Sequence, residues 1–247
     1  MVKNQCVFCK KFYAVTESQY MADLPNYRVQ PFTPAFHACS CDYFGPYKIK
    51  VLRNRTDKYY GVIFTCLNSR AVHLELSTDC STTEFLNVLR RFFSLRGFPV
   101  IILSDNGTQF VGAEKELRMM IEGFDKKKLY EFCVSNKVEW KFTTPAAPHH
   151  NGVTEALVKS VQSSIKKAIG DQLLKPFELY TVMQEVGNIV NERPIGRLPN
   201  DPDDGSFLCP NDLLLGRASS RIPHGPYEVT KSVYKRFEFI QNIISSF

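Results

Sequence analysis

Three strand-like runs follow one another between Phe36 and Leu76, and they limit the fold more than any other feature of the sequence. The first, FHACSCDYF, ends at Gly45-Pro46. The second, YYGVIFTCL, passes through Asn68-Ser69-Arg70 into the third, AVHLEL. In AVHLEL, Val72, Leu74 and Leu76 alternate with His73 and Glu75, the period of a strand with one polar face. A connection this short joins antiparallel neighbours, because a parallel pair needs a crossover of a dozen or more residues. Three consecutive antiparallel strands are predicted.

The pattern then changes period. Ser81-Thr82-Thr83-Glu84 has capping-box spacing, in which the Ser81 hydroxyl and the Glu84 carboxylate satisfy backbone donors at a helix start. Phe85, Leu89 and Phe92 give that helix an apolar face, and Gly97 ends it. VIILSD is a short continuous apolar run, suited to a strand covered on both faces. Helical patterns around Leu117 and Ile121 and from Lys126 to Asn136 precede a further strand, VEWKFTT. PAAPHHNG reads as an irregular loop, since its prolines and Asn-Gly oppose regular structure. From Val153 to Ile169 a helix buries Leu157, Val161, Ile165 and Ala168, while Glu155, Lys159, Gln162 and Lys166 recur on its other side. Another helix is predicted from Pro176 to Asn191, stopping before Pro194. Hairpin strands, then helices alternating with two more strands, imply an α/β fold: a mixed sheet flanked by helices.

Composition excludes little. No apolar run approaches the roughly 18 residues of a membrane span, and the N-terminus lacks the basic-then-apolar layout of a secretory signal, so an intracellular, non-membrane protein is expected. The eight cysteines are scattered, several within strand-like runs, and read as reduced core thiols. A net charge of +6 is compatible with a polyanionic partner without pointing to one.

Three acids stand beside predicted element ends. Asp42 closes the first strand, Asp105 follows the fourth in SDNGTQF, and Glu155 opens the helix after the loop. Carboxylates gathered in one place repel unless protons or cations neutralise them, and magnesium ions are a common solution where a phosphodiester is to be cut or joined. Singly, each has a structural reading: Asp42 and Asp105 as turn residues, Glu155 as a helical partner of Lys159. Their joint placement favours a site.

The chain resembles the integrases of long-terminal-repeat retrotransposons, of the Bel/Pao type. The resemblance rests on CDYFGPY, TCLNSRAVHLEL, ILSDNGTQFVGAEKEL, NGVTEALVKSVQ and NERPIGRLPNDPDDGSFLCPNDLLLGR, which together extend over most of Phe36 to Arg217. It implies a ribonuclease-H-like core with a five-stranded mixed sheet. It also implies Asp42, Asp105 and Glu155 as catalytic metal ligands, magnesium as cofactor with manganese as a substitute, and DNA, both element ends and target, as substrate. DNA contacts are expected at Asn106, Lys159, Gln162 and Lys166. The family pattern has a basic residue four and seven positions after the glutamate. Lys159 fits, and Gln162 departs, leaving an amide to meet phosphate or base. The 49 residues between Asp105 and Glu155 exceed the retroviral spacing, which makes Glu139 a rival third ligand. Its place inside VEWKFTT, rather than at a helix start, argues against it.

On this reading residues 1–30 are a linker with the remnant of a zinc module, 31–195 the catalytic core, and 196–247 an extension that stops before a terminal DNA-binding barrel. Cys6 and Cys9 resemble half of a four-ligand zinc site, and zinc is expected only in a full-length N-terminal module. His149 and His150 are assigned to phosphate contact or to no role, and His73 to structure. The resemblance further implies homo-oligomers of the full-length protein, acting in the nucleus and cytoplasm of a host cell. A ribonuclease-H-like nuclease and a non-catalytic, domesticated DNA-binding protein are the alternatives.

Overall fold

The computed structural model describes Val7 and residues 24–52, 54–104, 126–135, 137–142, 152–170, 172–197 and 207–216. A short helix, α1 (Asn26–Val29), precedes three strands, β1 (Ala38–Leu52), β2 (Arg55–Cys66) and β3 (Val72–Ser77). Then come α2 (Thr82–Arg96), β4 (Ile101–Ser104), α3 (Lys126–Ser135), β5 (Glu139–Phe142), α4 (Gly152–Ile169) and α5 (Pro176–Asn191). A two-stranded ladder of β6 (Gly196–Arg197) and β7 (Phe207–Leu208) leads to α6 (Pro210–Leu215).

The main sheet has five strands in the order β3-β2-β1-β4-β5. The β1–β2 and β2–β3 pairs are antiparallel, whereas β1–β4 and β4–β5 are parallel. This is the ribonuclease-H-like mixed sheet expected from the sequence. Side chains alternate across β1, so Cys39, Cys41 and Tyr43 enter one apolar cluster and Phe44 the other. Phe85, Val88, Leu89 and Phe92 of α2 fill the first cluster. Leu157, Val161 and Ile165 of α4 and Val182 and Met183 of α5 fill the second. Burial of each such side chain contributes about 1.5–3 kcal/mol, so both faces of the sheet carry a core.

Three expectations need correction. Asp42 does not close β1, which runs on through Gly45-Pro46 to Leu52. The register explains how: Phe44 pairs with Gly61 and Tyr47 with Tyr59, so two residues of β1 face one of β2. Proline offers no N–H to a ladder and is accommodated in such a bulge rather than ending the strand. Gly61 is required here, because a Cβ on it would lie 2.2 Å from the Phe44 ring.

The second correction concerns β3, whose supposedly polar face is buried: His73 is 3% and Glu75 1% exposed. They are tolerated because they pair. Arg96 donates to His73 Nδ1 at 3.4 Å, which leaves Nε2 to donate to Glu75 Oε1 at 3.1 Å. Arg91 Nε donates to Glu75 Oε2 at 3.0 Å. The outer edge of β3 is also capped by side chains. Asn191 bonds both the N–H and the carbonyl of Val72, each at 2.8 Å, while Gln184 donates to Leu74 O and Arg91 to Leu76 O.

Only half of the predicted capping box forms. Ser81 Oγ accepts from the Glu84 N–H at 3.2 Å, but the Ser81 N–H is taken by Asp79 Oδ1 at 2.7 Å. The Glu84 carboxylate turns to Arg91 instead, at 3.5 Å.

Candidate active site

The β1–β4 ladder runs from Ala38 opposite Ile101 to Cys41 opposite Ser104. Asp42 is the next residue of β1. It therefore stands at the open end of the parallel pair, although it lies in mid-strand with respect to β2, where it faces Ile63. Asp42 is half-buried, and its Oδ1 accepts from the following Tyr43 N–H at 2.8 Å. Asp105 follows Ser104 in sequence but lies outside the described residues, as does Asn106.

Alternation puts Ser40, Asp42 and Phe44 on the same side of β1, the side covered by α4. There the hydroxyls of Ser40 and Thr154 meet at 2.5 Å, both fully buried. Thr154 belongs to the first turn of α4, and the next residue is Glu155, half-buried. One hydroxyl pair thus ties the strand of Asp42 to the helical turn of Glu155. Thr65, the cross-strand partner of Ser40, is buried as well, and its hydroxyl has no protein partner among the described residues. The apolar stripe of α4 holds this end in place: Leu157, Val161, Ile165 and Ala168 are buried, as the periodicity predicts.

Lys159 and Lys166 are exposed on α4 and Gln162 is half-buried, so this flank is open to a ligand. Glu139 sits elsewhere. It pairs with Ile101 at the start of β4, three residues before Ser104, roughly 10 Å along the strand. Its carboxylate is exposed and engages Lys141 Nζ at 3.2 Å. Cys6, Cys9, His149, His150 and the stretch around Leu117 and Ile121 lie outside the described residues.

Sequence reasoning overlooked Ser40 and Thr154, although a signal existed. Thr154 occupies the position three before Leu157, a polar residue in line with the buried stripe, and a buried hydroxyl must find a partner. Ser40 lies two residues before Asp42 on the same face, where an apolar side chain would be expected.

No family model matches the chain. An uncharacterized protein of Caenorhabditis elegans is 24% identical over 163 residues, which are 63% of this chain and 12% of that protein, so the chain spans a small part of this relative's length. Among solved structures, the dimeric HTLV-2 integrase catalytic core domain in complex with magnesium is similar at a TM-score of 0.46 and 18% identity, over 68% of this chain and 93% of that one. Its trimeric form gives 0.43 and 18%, over 70% and 94%. A simian T-cell lymphotropic virus intasome in complex with the PP2A regulatory subunit B56 gamma gives 0.49 and 16%, over 92% of this chain and 69% of that one.

Proposed function

We propose that this chain is the catalytic core of a retrotransposon integrase, which trims the 3′ ends of element DNA and joins them to target DNA. The observation that carries the reading is the Ser40–Thr154 hydrogen bond, which holds the first turn of α4, with Glu155, against the face of β1 that carries Asp42. Asp105, one residue past the end of β4 in sequence, completes the acidic set in the motif SDNGTQF.

The donor chemistry fits a hard divalent cation. Asp42 and Glu155 offer carboxylate oxygens, the ligands magnesium prefers, and both are half-buried. Asp42, Asp105 and Glu155 would hold the metal. When bound, magnesium or manganese supplies Lewis-acid stabilisation of the charge on a reacting phosphodiester. The chain's own part is positioning. β1 is paired on both sides up to Cys41 and fixes Asp42, while α4 fixes Glu155 through its buried stripe. Exposed Lys159, one turn beyond Glu155, supplies a charge for the DNA backbone, and Gln162 and Lys166 extend that flank.

Strand joining assayed in the complete protein, with DNA ends of its own element, tests this reading. Asp42→Asn and Glu155→Gln are expected to lower joining at least about a hundredfold and to weaken Mn2+ binding, with the fold intact by circular dichroism. Glu139→Gln is expected to stay within about twofold of wild type, as a site distant from the ligands should. Normal joining by Glu155→Gln, or loss in Glu139→Gln, overturns the assignment.

A further inference from the structure

Beside α4, on the flank away from Lys159, lies an open cleft of about 600 Å³. Its walls are Val153, Ala156, Leu157 and Ser160 of α4, Asn68 and Arg70 of the β2–β3 turn, and Arg193 and Ile195 after α5. Two guanidinium groups line it and no carboxylate does, among the described residues. Two like charges set side by side make a positive wall that attracts an anion.

The two arginines are held together by the fold. Arg193 donates through Nη2 to the carbonyl of Arg70 and through Nη1 to the carbonyl of Val190, at 2.6 Å for the latter. Arg70 has φ of 58°, so the left-handed turn presents its carbonyl to Arg193 and its exposed side chain to the cleft. Burial, and after it the Arg70 charge, pulls the Arg193 guanidinium below its ordinary value. Asn68 and Ser160 complete the polar lining, but the Asn68 amide donates to Gln30 O and Thr33 Oγ1 and the Ser160 hydroxyl to Ala156 O, so contact with phosphate oxygens falls to the exposed Arg70.

We propose that this cleft takes the sugar-phosphate backbone of a DNA strand, with Arg70 as its main contact and Arg193 as the fixed positive wall behind it. The proposal rests on the reading of the chain as a DNA-joining core and adds a second DNA-contacting surface, so that α4 is gripped on both flanks. Ala156, which lines the cleft, directly follows Glu155, so DNA seated there lies within one helical turn of Glu155. The sequence pointed to Asn106 and the Lys159 flank but not to this cleft, because Arg70 and Arg193 are far apart along the chain and only the packing of α5 beside β3 brings them together.

The test is fluorescence anisotropy of a duplex DNA of arbitrary sequence titrated with the 247-residue chain between about 50 and 200 mM salt. Arg70→Asn removes the charge while keeping a residue that tolerates positive φ. It should lower the slope of log affinity against log salt by about one. Ser160→Glu places a negative charge in the cleft from an exposed helical position and should weaken binding about tenfold at the lower salt. Both variants should melt within about 3 °C of wild type, as exposed substitutions do, and each should add to the loss from Lys159→Ala. Wild-type-like binding by Arg70→Asn and Ser160→Glu, with loss only in Lys159→Ala, overturns the cleft and leaves the integrase reading standing. No salt-dependent binding by the wild-type chain removes the DNA reading itself, and the cleft proposal with it.

Discussion

The two faces of the central sheet are built differently. On the α2 face the core is aromatic: Phe64 and Phe92 stack at 4.0 Å with an interplanar angle of 3°, and Phe36 meets Phe92 edge-on at 5.5 Å. Its ionisable groups are spent on one another, with Glu75 between His73 and Arg91. On the α4 face the core is mainly aliphatic, and toward the end of α4 that carries Glu155 it gives way to hydroxyls, Ser40 meeting Thr154. The half-buried carboxylates of Asp42 and Glu155 stand at that border. A buried ionisable group therefore does not by itself mark a site. What distinguishes a candidate site is an ionisable group set at an open sheet end, as Asp42 is, rather than one enclosed between its charge partners, as Glu75 is.

If the faces divide the labour in this way, damage to the α2 face should cost stability while sparing the acidic set. Phe92→Ala should have the largest effect, about 3–5 kcal/mol for a fully buried aromatic side chain. In a chain of this size that lowers the melting temperature by roughly 6 to 20 °C. Mn2+ affinity measured well below the transition should stay within about twofold, because the ring lies on the other face of the sheet from Asp42. A parallel collapse of metal affinity would mean that the two faces are not separable.

Glu75→Ala comes next. It leaves His73 without its carboxylate and Arg91 without its buried partner. Breaking a wholly buried pair costs about 3–5 kcal/mol, but the Arg91 side chain is 42% exposed and can recover water, so about 2–3 kcal/mol is expected. Urea denaturation of the variant checks the figure. A loss below about 0.5 kcal/mol, the range of an ordinary surface substitution, would show that the network is decorative.

Much of this architecture was legible in the sequence because period and punctuation are local properties. The hairpin, the α4 stripe and the span of α5 could be read from runs of neighbouring residues. The capping box failed locally, to Asp79, but two other failures have long-range causes. A Gly-Pro pair reads as a strand end, yet the β2 backbone accepts it as a bulge, with Gly61 making room for Phe44. The His73-Glu75 alternation reads as a wet face, and only the arrival of Arg91 and Arg96 from α2 makes it a buried one. Of the candidate site, Asp42 and Glu155 could be named from motifs. The hydroxyl pair that joins their elements spans 114 residues of sequence, beyond the reach of any local pattern.

That pair gives the smallest change in stability and the sharpest test of the comparison. Thr154→Val keeps the shape of the side chain and removes its hydroxyl, stranding Ser40 Oγ in the interior. A stranded buried hydroxyl costs about 1–3 kcal/mol, but Thr65 lies directly across the strand with a hydroxyl of its own, and a Ser–Thr cross-strand bond can form there. The lower figure, about 1 kcal/mol, is therefore expected. Mn2+ binding should suffer more than that loss suggests, by about tenfold, since the first turn of α4 is no longer pinned to the strand of Asp42. Thr154→Ser, which restores the hydroxyl, should recover metal affinity. Ser40→Ala combined with Thr154→Val should recover stability, because no polar atom is then left unpaired at that contact, yet should keep the defect in metal binding. That separation distinguishes a pin that positions Glu155 from a bond that merely contributes to the core: if the double variant binds Mn2+ as wild type does, the hydroxyl pair is structural and the α4 face is no more specialised than the α2 face.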